Sequence, residues 1–198
     1  MIKFINDSLD LPYIKFREKY NQAKAKKQNL IEAISIASYS NELNQVDTRF
    51  VNLKIVDNKN FIFFSNYMSP KAKQFQSHNQ VSIAIFWNSI NIQIRMKALI
   101  KKVPYTMNDE YFSNRSKEKN ALAISSKQSK KIDSFEMVKI NFDESFKNDD
   151  LKKCPEYWGG FSFTPYYFEF WEGHESRINK REVFNKIDDV WEQSFLQP

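Results

Sequence analysis

The segment IQIRMK, residues 92–97, has the most regular alternation of apolar and polar positions in the chain. Successive side chains of a strand point to opposite faces, so the pattern predicts a long strand over residues 90–103 with one apolar and one polar face. The polar set consists of Gln93, Arg95 and Lys97. If this set faced inward, it would form a binding site.

Seven further segments have the length and the β-branched or aromatic content of strands. They are residues 31–39, 49–56, 61–65 and 81–87, and the pieces YWGGFSF, FEFWEG and VWEQSFL of the last third. Short turns join the first three, which predicts an antiparallel meander. With seven or eight strands and few helices, we predict a mainly β fold with helices (α+β), in which an antiparallel barrel carries the helices on its outside.

Three segments outside residues 61–75 have helical patterns. Residues 11–27 place Leu11, Ile14, Phe16 and Tyr20 at helical spacing, which predicts an amphipathic helix inside a helical N-terminal segment, residues 1–28. A second, less regular helix is predicted over residues 133–146. We find no repeat or domain boundary, so we expect a single domain over residues 1–198, with residues 147–154, NDDLKKCP, as the best candidate for a mobile loop.

The third predicted helix covers residues 106–119, TMNDEYFSNRSKEK, with Thr106 as its cap and Asp109 completing a weak capping box. Tyr111, Arg115 and Lys119 follow one another at four-residue steps, and residues so spaced share one face of a helix. A phenol and a guanidinium on one face suit a phosphate dianion. The alternative is an exposed arginine beside a half-buried tyrosine.

A strand also runs directly into a helix at residues 61–75, FIFFSNYMSPKAKQF. Ser69 is placed to cap the helix, and Pro70 at the first helical position loses no hydrogen bond. Lys71 and Lys73 add positive charge beside the positive end of the helix dipole, which favours a phosphate. A junction of this kind can also be purely structural, and both interpretations stay open at this point.

Composition narrows the function classes. Apolar residues make up 41% of the 198 residues and aromatic residues 16%, enough for a packed core. The three glycines, Gly159, Gly160 and Gly173, all lie near the C-terminus, which excludes a glycine-rich P-loop or Rossmann turn. The formal net charge is +6, but no run of five basic residues occurs, so we expect no nucleic-acid partner.

Cysteine and histidine are scarce. The single cysteine, Cys154, cannot form an internal disulfide, and His78 and His174 have no metal-ligand spacing, so we expect no metal site. No apolar run reaches membrane length, and the N-terminal residues lack the core of a signal peptide. These features predict a cytoplasmic protein with no membrane contact.

Seven short motifs, taken in order, resemble the pyridoxine (pyridoxamine) 5′-phosphate oxidase family of FMN-dependent split-barrel flavoproteins. They are RFVNLK (49–54), FFSNYMSPKA (63–72), IQIR with Gln93, YFSNR (111–115), SKQS (126–129), WGGF (158–161), and EFWEG with the following RINKR (177–181). None is decisive alone, but their common order covers most of the chain.

The resemblance implies an antiparallel split β-barrel that forms a homodimer with two FMN sites at the subunit interface. Arg49 and Lys71 would bind the FMN phosphate, Gln93, Gln128 and Ser129 would hydrogen-bond the flavin or its ribityl chain, and Trp171 and Arg181 would come from the other subunit. The full cofactor set that the resemblance implies is Arg49, Phe50, Val51, Lys54, Phe64, Ser65, Lys71, Gln93, Gln128, Ser129, Trp171 and Arg181.

For the substrate, the resemblance implies a phosphate clamp of Lys54, Tyr111, Arg115 and Lys119, with Arg177 and Asn179 as catalytic residues over the pyridine ring. The implied reaction is the oxidation of pyridoxine or pyridoxamine 5′-phosphate to pyridoxal 5′-phosphate, with reduction of dioxygen to hydrogen peroxide.

Three residues depart from the family pattern. Pro70 stands where the family usually has an arginine, Lys119 where it has a serine, and Asn179 where it has a histidine. Asparagine does not titrate near neutral pH, so acid-base catalysis at position 179 is lost. Two alternatives therefore remain: an FMN oxidoreductase with another substrate, and a flavin or pyridoxal-phosphate binding protein without catalysis.

Overall fold

The computed structural model describes all 198 residues, 1–198. It contains nine strands, five α-helices and one short 3-10 helix. In chain order they are β1 (Lys3–Ile5), α1 (Leu11–Ala25), β2 (Ala33–Ser40), β3 (Gln45–Asp57), β4 (Asn60–Asn66), α2 (Pro70–Ser77), β5 (Gln80–Trp87), the 3-10 helix (Asn88–Ile90), β6 (Ile92–Lys102), α3 (Tyr105–Ser113), α4 (Lys117–Ser125), α5 (Phe135–Asn148), β7 (Trp158–Glu172), β8 (Lys180–Ile187) and β9 (Val190–Leu196).

The strands form one sheet that closes on itself in part. The pairing order is β1-β3-β2-β5-β6-β7-β8-β9, and β4 pairs with both β3 and β7. Six strands thus form a ring, and β1, β8 and β9 extend it. All pairs are antiparallel except β1 with β3. The predicted fold class, an antiparallel split barrel with peripheral helices, is confirmed.

Phenylalanine fills much of the interior. The rings of Phe61, Phe63, Phe161 and Phe163 lie side by side on β4 and β7 and are at most 1% exposed. Phe61 stacks on Phe163 with ring centroids 5.2 Å apart. Aromatic pairs add about 0.5–1.5 kcal/mol each to the area they bury, which makes this wall a main source of stability.

The polar face of β6 points away from this interior. Ile92, Ile94 and Met96 are buried, whereas Arg95 and Lys97 are exposed and Gln93 is half-buried. The alternation was predicted correctly. The apolar side chains of β6 fill the core and the polar ones face outward, so the polar set does not form a site inside the barrel.

Two strands escaped prediction. β1 is only three residues long and is held by parallel pairing with β3. β8 begins with Lys180, Arg181 and Glu182, and such charges mask a strand pattern. In addition, the pieces YWGGFSF and FEFWEG form one strand, β7, and not two.

The helix predictions needed three corrections. α1 occupies residues 11–25 and buries Tyr13, Phe16 and Tyr20, but Leu11, which was predicted for its apolar face, is 58% exposed. The helix predicted over residues 106–119 is two helices, α3 and α4, interrupted at residues 114–116. α3 starts at Tyr105 without a side-chain cap, so the predicted capping box at Thr106 is wrong.

Candidate functional site

The junction of β4 and α2 positions one lysine. Pro70 is the first residue of α2 and Ser69 is its N-cap residue, as predicted, but the Ser69 side chain makes no capping hydrogen bond. Its Oγ instead donates to the carbonyl oxygen of Asn66 at 2.7 Å and accepts from Lys71 Nζ at 3.3 Å. The serine therefore orients Lys71.

Neutral oxygen atoms surround the Lys71 amine. Its Nζ donates to Ser65 Oγ at 3.0 Å and to Gln128 Oε1 at 3.1 Å, in addition to Ser69 Oγ. Burial, together with the positive charge of nearby Arg49, lowers the pKa of Lys71 to about 8. An anion placed here would offset both the burial of the charged amine and its repulsion by Arg49, since an opposite charge favours the protonated amine.

Arg49 lies on the far side of this lysine. Its Nη1 donates to Ser38 Oγ at 2.6 Å, its Nη2 donates to Gln74 Oε1 at 2.9 Å, and the Asp47 carboxylate lies 3.8 Å from Nη2. Burial lowers the pKa of its guanidinium. Its donors therefore engage protein acceptors beside α2, while its charge acts on Lys71.

An open cleft of about 540 Å³ lies in front of Lys71, and we call it the cationic cleft. Ten of the predicted site residues line it: Phe50, Val51, Lys54, Phe64, Ser65, Lys71, Tyr111, Arg115, Lys119 and Gln128. Four of them are cations, and no acidic side chain is among the lining residues. Of the four cations only Lys54 has a carboxylate partner, Glu32, which lies outside the lining, and the excess of positive charge that remains is the signature of an anion site.

One wall of the cleft is aromatic. The Tyr111 ring stacks on Phe64 at 3.7 Å and 8°, and Phe64 stacks on Trp158 at 5.3 Å. The guanidinium of Arg115 lies 4.4 Å from the centre of the Trp158 ring. Burial raises the pKa of the Tyr111 phenol and lowers that of Arg115. The tyrosine thus stays a neutral hydrogen-bonding group near neutral pH.

Arg115 has a donor to spare. Its Nη2 donates to the carbonyl oxygen of Lys119 at 3.3 Å, but its buried Nη1 has no partner within the chain. A buried donor left unpaired is costly, so this atom is suited to an acceptor supplied from outside the chain.

The grouping of Tyr111, Arg115 and Lys119 was predicted, but for the wrong reason. Tyr111 lies on α3, Arg115 in the break after it, and Lys119 on α4, so the three do not share one helix face. The turn between the helices brings Arg115 and Lys119 back to the cleft.

Lys54 reaches the cleft through an irregularity in β3. The register with β4 shifts between Leu53 and Ile55, which leaves Lys54 in a bulge. Bulges re-aim a side chain and are common next to functional sites. The Nζ of Lys54 lies 3.5 Å from Glu32 Oε1, so the lysine is held at the cleft edge by a partly exposed ion pair.

Three predicted cofactor residues form a second group on the outer face of the sheet. Gln93 is the register partner of Trp171, and Trp171 that of Arg181, so they lie side by side on β6, β7 and β8. None of them lines the cationic cleft of its own chain. The resemblance gave Gln93 the same role as Gln128 and Ser129, but in the structure Gln93 lies beside Trp171.

The remaining predicted residues lie elsewhere. Arg177 and Asn179 belong to the connection between β7 and β8; Arg177 has φ 60°, and Asn179 Oδ1 accepts from the backbone N–H of His174 at 3.0 Å. Ser129 has φ 68° and lines a neighbouring cavity of about 440 Å³ together with Pro70. Positive φ occurs at ten non-glycine residues of the chain, so this conformation does not by itself mark Arg177 or Ser129 as functional.

Four cleft residues were given no role from the sequence: Asn52, Asn114, Ser116 and Trp158. Trp158 belongs to the WGGF motif, which was a usable signal. Asn52 and Asn114 likewise lie within the motifs RFVNLK and YFSNR, whereas nothing in the sequence singles out Ser116.

No three histidine, cysteine or acidic side chains gather where they could hold a metal ion. None of the helices has both the length and the apolar character needed to cross a membrane.

Comparison with known proteins gives a consistent picture. A family model described as pyridoxamine 5′-phosphate oxidase matches residues 22–148, and one described as the pyridoxine 5′-phosphate oxidase C-terminal dimerisation region matches residues 158–198. Pyridoxine/pyridoxamine 5′-phosphate oxidase 1 of Hydrogenovibrio crunogenus is 31% identical over 94% of this chain and 88% of its own length. The oxidase of Christiangramia forsetii is 34% identical over 97% and 91%.

Solved structures agree at the level of the fold. PhzG from Burkholderia lata 383, in complex with tetrahydrophenazine-1-carboxylic acid, has a TM-score of 0.89 at 19% identity and covers 94% of this chain and 92% of its own. A pyridoxamine 5′-phosphate oxidase-related, FMN binding protein from Nostoc punctiforme has a TM-score of 0.76 at 13% identity, with 92% and 97% covered.

Proposed function

This chain belongs to the pyridoxine/pyridoxamine 5′-phosphate oxidase family, and from that premise we propose that it is an FMN-dependent oxidase. The proposed substrates are pyridoxine 5′-phosphate and pyridoxamine 5′-phosphate, and the products are pyridoxal 5′-phosphate and hydrogen peroxide. The observation that carries the proposal is the cationic cleft, in which Lys54, Lys71, Arg115 and Lys119 meet without a lining carboxylate.

The residues present fit the cofactor. The Lys71 amine donates hydrogen bonds to three neutral oxygen atoms and is repelled by Arg49. An anionic group such as the FMN phosphate would stabilise its charge. In our proposal Ser65, Gln128 and Ser129 hydrogen-bond the phosphate or ribityl chain, and Phe50, Val51 and Phe64 provide apolar contact. When bound, FMN supplies the redox chemistry, by accepting a hydride from the C4′ carbon of the vitamer and returning the electrons to dioxygen.

The second group is assigned to the partner subunit's cleft. Trp171 and Arg181, with Gln93 beside them, lie within or next to the part of the chain that matches the dimerisation model. We therefore propose a cytoplasmic homodimer in which each flavin contacts both protomers. This arrangement also accounts for Gln93, which lies beside Trp171 and away from the cleft of its own chain.

The remaining cations hold the substrate. Arg115, fixed against Trp158 and with Nη1 unpaired, is placed to bind the vitamer phosphate together with Lys54, Tyr111 and Lys119. Tyr111 donates its phenolic hydrogen, since burial keeps the phenol neutral. Arg177 and Asn179 of the partner would orient the pyridine ring, and Asn179 offers hydrogen bonds but no proton transfer at neutral pH.

The test is an aerobic assay of the flavin-loaded protein with each vitamer. We expect equal amounts of aldehyde and peroxide, and a loss of about 10- to 100-fold in kcat/KM for Arg115→Gln, because a charge-assisted hydrogen bond contributes about 1.5–3 kcal/mol. Lys117→Met, an exposed change on α4, serves as the matched control. Absence of both products with saturating FMN contradicts the proposal.

A second candidate is an FMN oxidoreductase acting on another substrate. It is favoured by one observation: the side-chain oxygen of Asn179 is used within its own loop, by the N–H of His174. Reduction of the bound flavin by nicotinamides or other donors, with none by either vitamer, would select this candidate. Tight vitamer binding without turnover, even in Asn179→His, would select a binding protein.

A further inference from the structure

A buried carboxylate lies beside the second group of cofactor residues. Glu169 is on β7 and only 1% exposed, although its side chain points to the outer face of the sheet, opposite to those of its core-forming neighbours Phe168 and Phe170. A buried charge is tolerated when it is paired and fully hydrogen-bonded. The environment of Glu169 meets this condition.

Both oxygens of Glu169 are engaged. Oε1 accepts from Nε of Arg181 at 2.9 Å, and Nη2 of the same guanidinium lies 2.9 Å from this oxygen as an ion pair. Oε2 accepts from Nη1 of Arg95 and from the hydroxyl of Tyr167, both at 3.0 Å. The carboxylate thus joins β6, β7 and β8 and balances one of two guanidinium charges.

Arg181 is the group that this arrangement fixes most firmly. Its third nitrogen, Nη1, donates to the carbonyl oxygen of Gln197 at 3.0 Å, so contacts from β7 and from the C-terminal residues hold all three nitrogens. The side chain is only 26% exposed, whereas Arg95 is 45% exposed and has a single contact with the carboxylate. A guanidinium has five N–H groups, so donors of Arg181 remain for a ligand.

We propose that Glu169 is a positioning residue of the flavin site: it holds Arg181, and through it the cross-strand neighbour Trp171, in the orientation that completes the partner subunit's pocket. The inference rests on the proposed FMN function. Its physical basis is that a long arginine loses side-chain freedom on binding, and a residue that orders it beforehand removes this cost. The carboxylate also prevents two unpaired guanidinium groups from repelling one another on this face.

FMN titration by quenching of flavin fluorescence tests the proposal on the full-length wild type and four full-length variants. We expect Glu169→Gln to raise the Kd for FMN about tenfold, a typical coupling between contacting residues, and to change the visible circular dichroism of the bound flavin. Arg181→Gln should have a similar effect, and Glu169→Gln should add nothing in the Arg181→Gln background. Arg95→Gln, the matched control that breaks only the other ion pair, should change Kd less than about twofold.

Equal Kd values for FMN in wild type and Glu169→Gln would overturn this inference but not the proposed function. The same holds if Glu169→Gln raises the Kd by the same factor in the wild-type and the Arg181→Gln backgrounds. A wild-type protein that binds no FMN would overturn it together with the proposed function. If Glu169→Gln fails to fold, Glu169→Asp keeps the charge but shortens the reach to Arg181, and a raised Kd with an unchanged apo-protein Tm supports positioning. An unchanged Kd in this variant counts against it.

Discussion

At the scale of the residue, Lys71 shows how the protein sets up a cation before any ligand arrives. Burial and the charge of Arg49 lower its pKa to about 8, and only neutral oxygen atoms contact the amine. The folded protein therefore tolerates a poorly compensated charge, a cost that an incoming phosphate offsets. Arg115, with its unpaired Nη1, is in the same situation.

This pKa predicts a pH dependence of FMN binding. A bound phosphate raises the pKa of Lys71 above its value in the free protein, so binding takes up a proton between the two values. The contribution of Lys71 to affinity is therefore complete below about pH 8 and is lost as pH rises through the pKa of the complex. Titrations from pH 7 to 10 should show this fall in the wild type.

Lys71→Met should bind FMN about 10- to 100-fold more weakly at pH 7, the size expected for a charge-assisted hydrogen bond, and should lose most of the pH dependence above pH 8. Lys24→Met, an exposed change on α1, should behave as the wild type. A wild-type profile retained in Lys71→Met would show that another group is responsible.

Arg115 should act on the substrate and not on the cofactor. In Arg115→Lys the charge remains, but the planar fork that stacks on Trp158 is lost, so we expect KM for the vitamer to rise about tenfold with FMN affinity unchanged. Steady-state kinetics and flavin titration on one preparation check this. An equal loss of FMN affinity would place Arg115 in the cofactor site.

At the scale of the element, the start of β7, next to the cleft residue Trp158, packs closely against α3 and the residue that follows β4. Asn108 of α3 donates to Tyr67 Oη and accepts from the N–H of Gly160, and Tyr67 Oη donates to the carbonyl oxygen of Gly160. A Cβ at Gly159 would collide with the Tyr67 hydroxyl and the Asn108 amide. The paired glycines after Trp158 are thus required by packing.

Gly159→Ala should destabilise the protein by about 1–3 kcal/mol, the usual cost of overpacking a filled site. Urea unfolding of the apo protein gives this value. Gly173→Ala is the matched control, because there a Cβ meets only the side chain of exposed Asn91, which can move. Equal losses in the two variants would mean that the cost comes from the backbone and not from packing.

At the scale of the whole molecule, the proposed site divides between two copies of the chain. Lys71 belongs to the cleft, and Arg181 belongs to the outer sheet face, on a strand that extends beyond the ring. In a single protomer these two side chains lie on different surfaces. A homodimer that brings the face of one copy to the cleft of the other unites them.

Subunit exchange tests this division. Lys71→Met and Arg181→Gln dimers should each be weakly active, but after exchange one site of every mixed dimer combines an intact Lys71 with an intact Arg181. Random exchange places roughly a quarter of all sites in this state, so activity should recover toward about a quarter of the wild-type value. Exchange of each variant with itself, for example Lys71→Met with Lys71→Met, is the control and should give no recovery. If mixed dimers form but activity does not recover, both residues belong to one protomer's site.

The sequence alone determined most of the strands, the junction at Pro70, the mainly β class and the ordered motifs, because alternation, turn residues and helix starts are local signals. The tertiary structure decided the rest: the break between α3 and α4, the bulge at Lys54, the merging of two strand-like pieces into β7, and the pairing of Glu169 with Arg181. These features depend on strand register and on contacts between residues far apart in the chain. Ring closure through β4 is of the same kind, since no local pattern specifies that one strand pairs with both β3 and β7.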